Sequence, residues 1–248
     1  VFTYLADYLE RSYYLFTKAR NAMIYPAFIL TAFVGVIIVM LVVVIPRLTA
    51  IFEETGQKVP LYTQVVIAAS EFLRDWGIVL IFVVVGGSVF LWRWAHTKRG
   101  KAYFHLFQLN IPIIGVLYRK LYMARFADNL HTLLAGGIPI LRALSISGEV
   151  VGNVVYQKAI DEAIESVKGG KTISSAFEHS TEIPILVTQM IRIGEASGRI
   201  DYILGSIARF YQREVDSAFE NLVALIEPAL IIFLGIGVGV LVASVLVP

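Results

Sequence analysis

Three long apolar runs, each close to the length of a membrane crossing, constrain this chain more than any other feature. A hydrocarbon core takes about 20 helical residues to span. Residues 27–45 (AFILTAFVGVIIVMLVVVI) supply 19 without a charge and are stopped by Pro46 and Arg47. Residues 76–92 (WGIVLIFVVVGGSVFLW) supply 17 between Asp75 and Arg93. That is the short limit, but a tryptophan at each end suits the membrane–water interface. The third run, 228–247, is 20 residues with no charge and begins at Pro228. The chain is 57% hydrophobic, where a soluble domain is about 45–50% apolar. An all-α integral membrane protein with three transmembrane helices is predicted.

Lysine and arginine near the ends of the runs orient them, because these residues stay on the cytoplasmic side. Arg11, Lys18 and Arg20 precede the first run; Arg93, Lys98, Arg99 and Lys101 follow the second; Arg209 and Arg213 precede the third. The stretch between the first two carries only Arg47, Lys58 and Arg74, set against Glu53, Glu54, Glu71 and Asp75. The predicted organisation is a cytoplasmic segment at 1–24, a span at 25–45, an external loop at 46–75, a span at 76–95, a cytoplasmic helical domain at 96–227 and a span at 228–247. The N-terminus is then cytoplasmic and the C-terminus external.

An internal repeat supports this layout. At an offset of 202 positions, Ala6 falls on Ala208, Tyr8 on Phe210, Ala22 on Ala224, Pro26 on Pro228 and Ala27 on Ala229, without a gap. Both segments enter an apolar run at the proline. The expectation is that 1–24 is the C-terminal end of a first cytoplasmic helical domain like 96–227, most of which lies outside this sequence.

Within 96–227, glycine and proline punctuate helical patterns. A helix is predicted over 119–135, with Leu121, Phe126, Leu130, Leu133 and Leu134 on one face and Gly136, Gly137 and Pro139 ending it. Shorter helices are predicted at 140–149 and at 154–168, the latter with Ala159, Ile160, Ala163, Ile164 and Val167 at helical spacing and Gly169–Gly170 closing it. A brief turn of helix over 174–179 follows. Another helix opens at Pro184 and ends at Gly198, and a last one starts near Asp201. Stripes of this kind are core faces of an antiparallel helical bundle.

The sequence carries little chemistry. With no cysteine, disulfides, thiolate metal sites and cysteine nucleophiles are excluded. His96, His105, His131 and His179 have no ligand spacing. Gly169-Gly170-Lys171-Thr172 resembles the end of a phosphate-binding loop but lacks the earlier glycine and a preceding strand, so it reads as a turn. Asp161, Glu162 and Glu165 read as a solvated helix face neutralised by Lys158 and Lys168. A net charge of +2 with no polybasic tail gives no reason to expect nucleic acid. The most pointed local sequence is Gly194-Glu195-Ala196-Ser197-Gly198. There Gly198 suits a left-handed helix end, Gly194 permits close packing, and Glu195 is placed to tie down nearby backbone or Arg199. In the third run Gly235 and Gly239 have small-xxx-small spacing, which lets two membrane helices approach closely. The spans hold no interior charge, which counts against the main alternative, a membrane transporter or channel subunit. A membrane-bound enzyme, the other rival, lacks an acid–base cluster.

The runs RFADNLHTLLAGGIPILRAL (125–144), GGKTISSAF (169–177) and IRIGEASGRIDYIL (191–204), with IARFYQREVDSAFENLVALIEPALI before the last span, resemble the type II secretion F / type IV pilus inner-membrane platform family. The resemblance implies two similar cytoplasmic helical domains and three spans, in the bacterial inner membrane. It implies a non-enzymatic scaffold without cofactor, coupling a cytoplasmic assembly ATPase to insertion of pilin or pseudopilin subunits. Contacts with pilin transmembrane helices, with other inner-membrane assembly proteins and with further copies of itself are also implied. Gly136, Pro139, Gly170, Gly194, Glu195, Ser197, Gly198 and Pro228 are the motif positions, expected to be structural rather than catalytic.

Overall fold

The computed structural model describes residues 2–44 and 61–246, and every element among them is helical. The helices are α1 (Phe2–Val39, continued by a π-helical turn at Met40–Val44), α2 (Leu61–Ala95), α3 (Lys98–Asn110), α4 (Ile114–Ala135), α5 (Ile140–Val151), α6 (Val154–Lys168), α7 (Ile173–Phe177), α8 (Ile185–Ser197) and α9 (Ile200–Leu246). They form two compact units, one of Val89–Leu222 and one of Val1–Ser88 with Val223–Pro248.

Among the described residues, two helices are long and apolar enough to cross a membrane: α2 over Asp75–Ala95 and α9 within Ile200–Gly239. No described residue of 75–95 is buried, and Ile78 and Phe82 are each 73% exposed. A core helix of a soluble protein would hide such side chains, so these surfaces call for a lipid surrounding. The apolar part of α1, Met23–Val39, is shorter. Its expected continuation ends at Ile45, outside the described residues.

Three expectations change. The external segment 46–75 is helical from Leu61, and 45–60 lie outside the described residues. Residues 61–75 contain neither glycine nor proline, so nothing stops the span helix from extending into them. Pro228 starts no new helix: α9 runs through it, as α1 runs through Pro26. A proline forfeits one backbone bond and strains the preceding turn, yet both helices continue into strongly apolar sequence. The equivalence of the two prolines under the 202-position repeat therefore extends to their setting. Helix α3 was not predicted at all.

In the unit Val89–Leu222, α4 to α8 and the first part of α9 surround one apolar core. Met123, Phe126, Leu130, Leu144, Ile160, Phe177, Ile191, Leu204 and Ile207 are fully buried in it. Each such side chain contributes roughly 1.5–3 kcal/mol through burial. Phe126 and Phe177 meet edge to face at 5.6 Å. Helix α4 begins earlier than predicted, at Ile114, because a tight turn at Pro112–Ile114 re-enters helix immediately. On the outer side of α6, Lys158–Glu162 (3.8 Å) and Lys168–Glu165 (2.7 Å) pair as expected of a solvated face.

The start of α6 shows how the core-facing polar groups are used. Asn153 Oδ1 accepts from the amides of Val155 (2.9 Å) and Tyr156 (3.4 Å), and His105 Nδ1 on α3 accepts from Val154 (3.1 Å). Three amides at a helix start thereby find side-chain acceptors. Burial, and secondly the charge of Lys101, hold His105 below the usual imidazole range. Its Nδ1 accepts only while unprotonated. Protonation is thus easier in the unfolded chain, and stability falls as pH drops through about 6.5 and on to the lower folded value. Thermal midpoints of the detergent-solubilised chain between about pH 8 and pH 5 are expected to decline. The His105→Gln variant, which accepts without titrating, should show a shallower decline; an equal slope would count against this role.

Candidate functional site

Five of the motif residues, Gly170, Gly194, Glu195, Ser197 and Gly198, come together where α6, α7, α8 and α9 follow one another; Gly136, Pro139 and Pro228 lie elsewhere. Helix α6 ends at Gly169, and Gly170 takes a left-handed backbone (φ +88°), which sends the Lys171 amide back to the Ser166 carbonyl at 3.2 Å. Thr172 then caps α7, accepting from Ser175 N at 3.2 Å. Helix α7 has only five residues, too few to hold itself together by its own hydrogen bonds. Phe177 anchors it in the core, and Glu195 of α8 holds its other end. The Glu195 carboxylate accepts from Ile173 N (2.5 Å), from Ser174 N (3.2 Å) and from the Ser174 hydroxyl (2.5 Å). These partners are chain neighbours of Lys171, not Arg199, so of the two roles open to Glu195 it takes the backbone one.

A negative carboxylate at a helix N-terminus is favourable twice over, through charge-assisted bonds and through the helix dipole. Ile173 and Ser174 are buried, so without Glu195 their amides would have neither water nor an acceptor.

Three residues beyond Glu195, Gly198 adopts φ +67° and closes α8; its amide and that of Arg199 return to the carbonyls of Glu195 (3.3 Å) and Gly194 (2.9 Å). Ser197 Oγ donates to the Ile193 carbonyl at 2.7 Å. A Cβ on Gly194 would come within 3.1 Å of the Ile200 backbone and 3.2 Å of the Ile203 side chain. A side chain there would make these neighbours give by a few tenths of an ångström, so glycine suits the close approach of α8 to α9. At the other motif, Gly136 caps α4 with an ordinary φ of −79°, and the left-handed position falls to Gly137 (φ +77°). Pro139 is the N-cap of α5 and accepts from Ala143 N.

In the second unit, the described packing between α1 and α9 centres on a different glycine from the predicted pair. Phe33 of α1 is buried, meets Phe233 edge to face at 5.7 Å, and occupies the space a Cβ on Gly237 would need. Gly235 and Gly239 have open space around them.

The arrangement is one of caps and close packing. Glu195 accepts from three donors, and Ser174 is 2% exposed. Among the described residues no three His, Asp or Glu side chains gather in metal-binding geometry. Burial pushes the phenols of Tyr122, Tyr156 and Tyr211 up, which keeps them neutral. Sequence reasoning picked out Glu195 and the GGKT turn separately. Their pairing across some twenty residues left no periodic signal, and His105, which serves the distant Val154 amide, was missed for the same reason.

Residues 126–248 match the family model described as type II secretion system (T2SS), protein F. The type IV pilus assembly protein PilC of Thermus thermophilus is 36% identical over 246 residues, 98% of this chain and 60% of that protein. The type II secretion system protein F of Aeromonas hydrophila is 35% identical over 246 residues, 98% of this chain and 63% of that protein. The chain belongs to the type II secretion system protein F family. The type IV pilus assembly protein TapC of Aeromonas hydrophila, 34% identical over 253 residues, places a second pilus protein among the relatives of this family member. The chain spans about three-fifths of the length of the curated relatives it matches.

Removing the clamp tests this arrangement. Glu195→Ala should destabilise the solubilised chain by about 1–3 kcal/mol, since two buried amides lose their acceptor. Glu195→Gln, which keeps one acceptor oxygen, should lose less. Denaturant midpoints indistinguishable from the parent in both variants would contradict the assignment.

Proposed function

We propose that this chain acts as a scaffold of a platform in the bacterial inner membrane, supporting assembly of a type IV pilus or of the corresponding fibre of a type II secretion system. The observation that carries this reading is the match, along nearly the whole chain, to proteins named for both machines. On this reading the segments 25–45, 76–95 and 228–247 cross the membrane. Segments 1–24 and 96–227 lie on the cytoplasmic side with most of the flanking lysine and arginine, and 96–227 is an antiparallel bundle.

The scaffold catalyses nothing itself. Its domain receives a push from a cytoplasmic assembly ATPase and passes it to the membrane as a rigid-body motion. Helix α9 is suited to transmit that push, being one element of 47 residues that begins among core side chains and ends in apolar sequence. Pilin or pseudopilin transmembrane helices, other inner-membrane assembly proteins and further copies of the chain are the partners. Gly235 and Gly239, open within this chain, are where one such membrane helix would approach.

The test is genetic and biochemical together. Deleting the gene should abolish surface pili or secretion, with recovery on complementation, and the tagged full chain should bring down the assembly ATPase encoded beside it from solubilised membranes. Unchanged piliation and secretion, with no ATPase recovered, would sink the reading.

A further inference from the structure

Helix α3 is built inside out for a helix on the surface of a bundle. Its inner side holds His105, which serves the α6 amides, and Leu109, which joins the core. Its outer side carries Tyr103, Phe104, Leu106 and Phe107, between 47% and 67% exposed. In water that side would be charged.

The apolar surface continues past the end of the helix. Ile113 is 56% exposed and has φ +69°, ψ −58°, with the Ile114 amide bonded to the Pro112 carbonyl at 2.8 Å. This is a γ-turn, strained for any residue and more so for a β-branched one. Strain of this kind persists where something outside the local chain gains from it. Here it sets an isoleucine outward, next to the exposed Val116.

What covers this surface is indicated by where it starts. Helix α3 begins three residues after Ala95, the end of the apolar stretch of α2, and Val89–Ala95 belong to the same compact unit as α3. The elbow between them is tight: Thr97 Oγ1 accepts from Gly100 N at 3.1 Å, and Gly100 lies so close to the Trp94 carbonyl that no side chain fits. Trp94 stacks on Tyr103 with ring centroids 6.4 Å apart. The aromatic side of α3 is thus a continuation of the tryptophan-bearing end of α2. Its charge agrees. From 76 to 127 the sequence has no aspartate or glutamate, while Arg93, Lys98, Arg99 and Lys101 cluster at the elbow. An apolar aromatic face beside a purely basic cluster is the pattern of a helix lying in a lipid interface.

We propose that α3 lies in the headgroup region of the leaflet from which α2 emerges, with Tyr103, Phe104, Phe107 and Ile113 among the acyl chains and the basic cluster on anionic phospholipid. The domain would then be fastened flat against the membrane along α3 as well as strung from its spans. This rests on α2 crossing the bilayer, and the test separates the two ideas.

The chain has no cysteine, so single cysteines introduced into it can carry an environment-sensitive fluorophore. Labels at Phe107→Cys, Val84→Cys and Lys158→Cys are compared in vesicles of phosphatidylethanolamine with about 30% phosphatidylglycerol. The label at 107 should be quenched by spin-labelled lipid and should be several-fold less sensitive to aqueous iodide than the one at 158. Replacing phosphatidylglycerol with phosphatidylcholine should weaken its lipid quenching. Lipid quenching at 84 with none at 107 overturns the α3 proposal and leaves the span standing. No lipid quenching at either site overturns both. Protection from iodide at 107 without lipid quenching means that a second copy or another protein covers the face, and that also overturns the proposal. Tyr103→Cys serves as a second reporter should 107 perturb folding.

Discussion

The carboxylate of Glu195 holds one end of a helix too short to order itself, while Phe177 anchors the other in the core. Helix α7 is a single short turn between a glycine pair and a loop, and its buried first amides need an acceptor. Glu195 supplies it from α8, and Gly194, its neighbour, lets α8 press against the start of α9. Two adjacent residues therefore fasten both sides of α8. The same α9 then runs on into apolar sequence and is the longest helix among the described residues.

A second constraint comes from the bilayer. Backbone groups in hydrocarbon have no water to turn to, so elements that enter it stay helical. Helices α1 and α9 run unbroken through Pro26 and Pro228, and α2 extends from Leu61 to Ala95. The exposed apolar side chains of α2 and α9 are of the kind that lipid can cover. Inside the unit Val89–Leu222 the ordinary rule of apolar residues inward returns, except along α3.

Much of the domain was legible because local signals and tertiary packing agree there. Val154–Lys168 coincides with its predicted range: Asn153 before it and Gly169–Gly170 after it are strong start and stop signals, and the stripe Ile160, Ala163, Ile164 faces the core. The end of α8 at Gly198 was equally plain. Helix α3 was not, because its apolar residues point away from the core and leave no inward stripe to count. The helix over 61–75 went unread because charge told against a span there, although nothing in the residues opposes a helix. Gly235 and Gly239 were singled out by spacing, yet Phe33 seats against Gly237, since which side of a helix meets its neighbour depends on the neighbour. The partners of Glu195 were beyond reach for the same reason: a contact between distant turns has no period.

The most direct measurement of the central claim is hydrogen exchange on the full chain in lipid nanodiscs, resolved to the peptides covering 172–177. If Glu195 clamps α7, the amides of Ile173 and Ser174 exchange as slowly as those of Ile191 and Leu204 in the core. If they exchange as fast as the exposed turn at 178–182, the clamp does not exist as described.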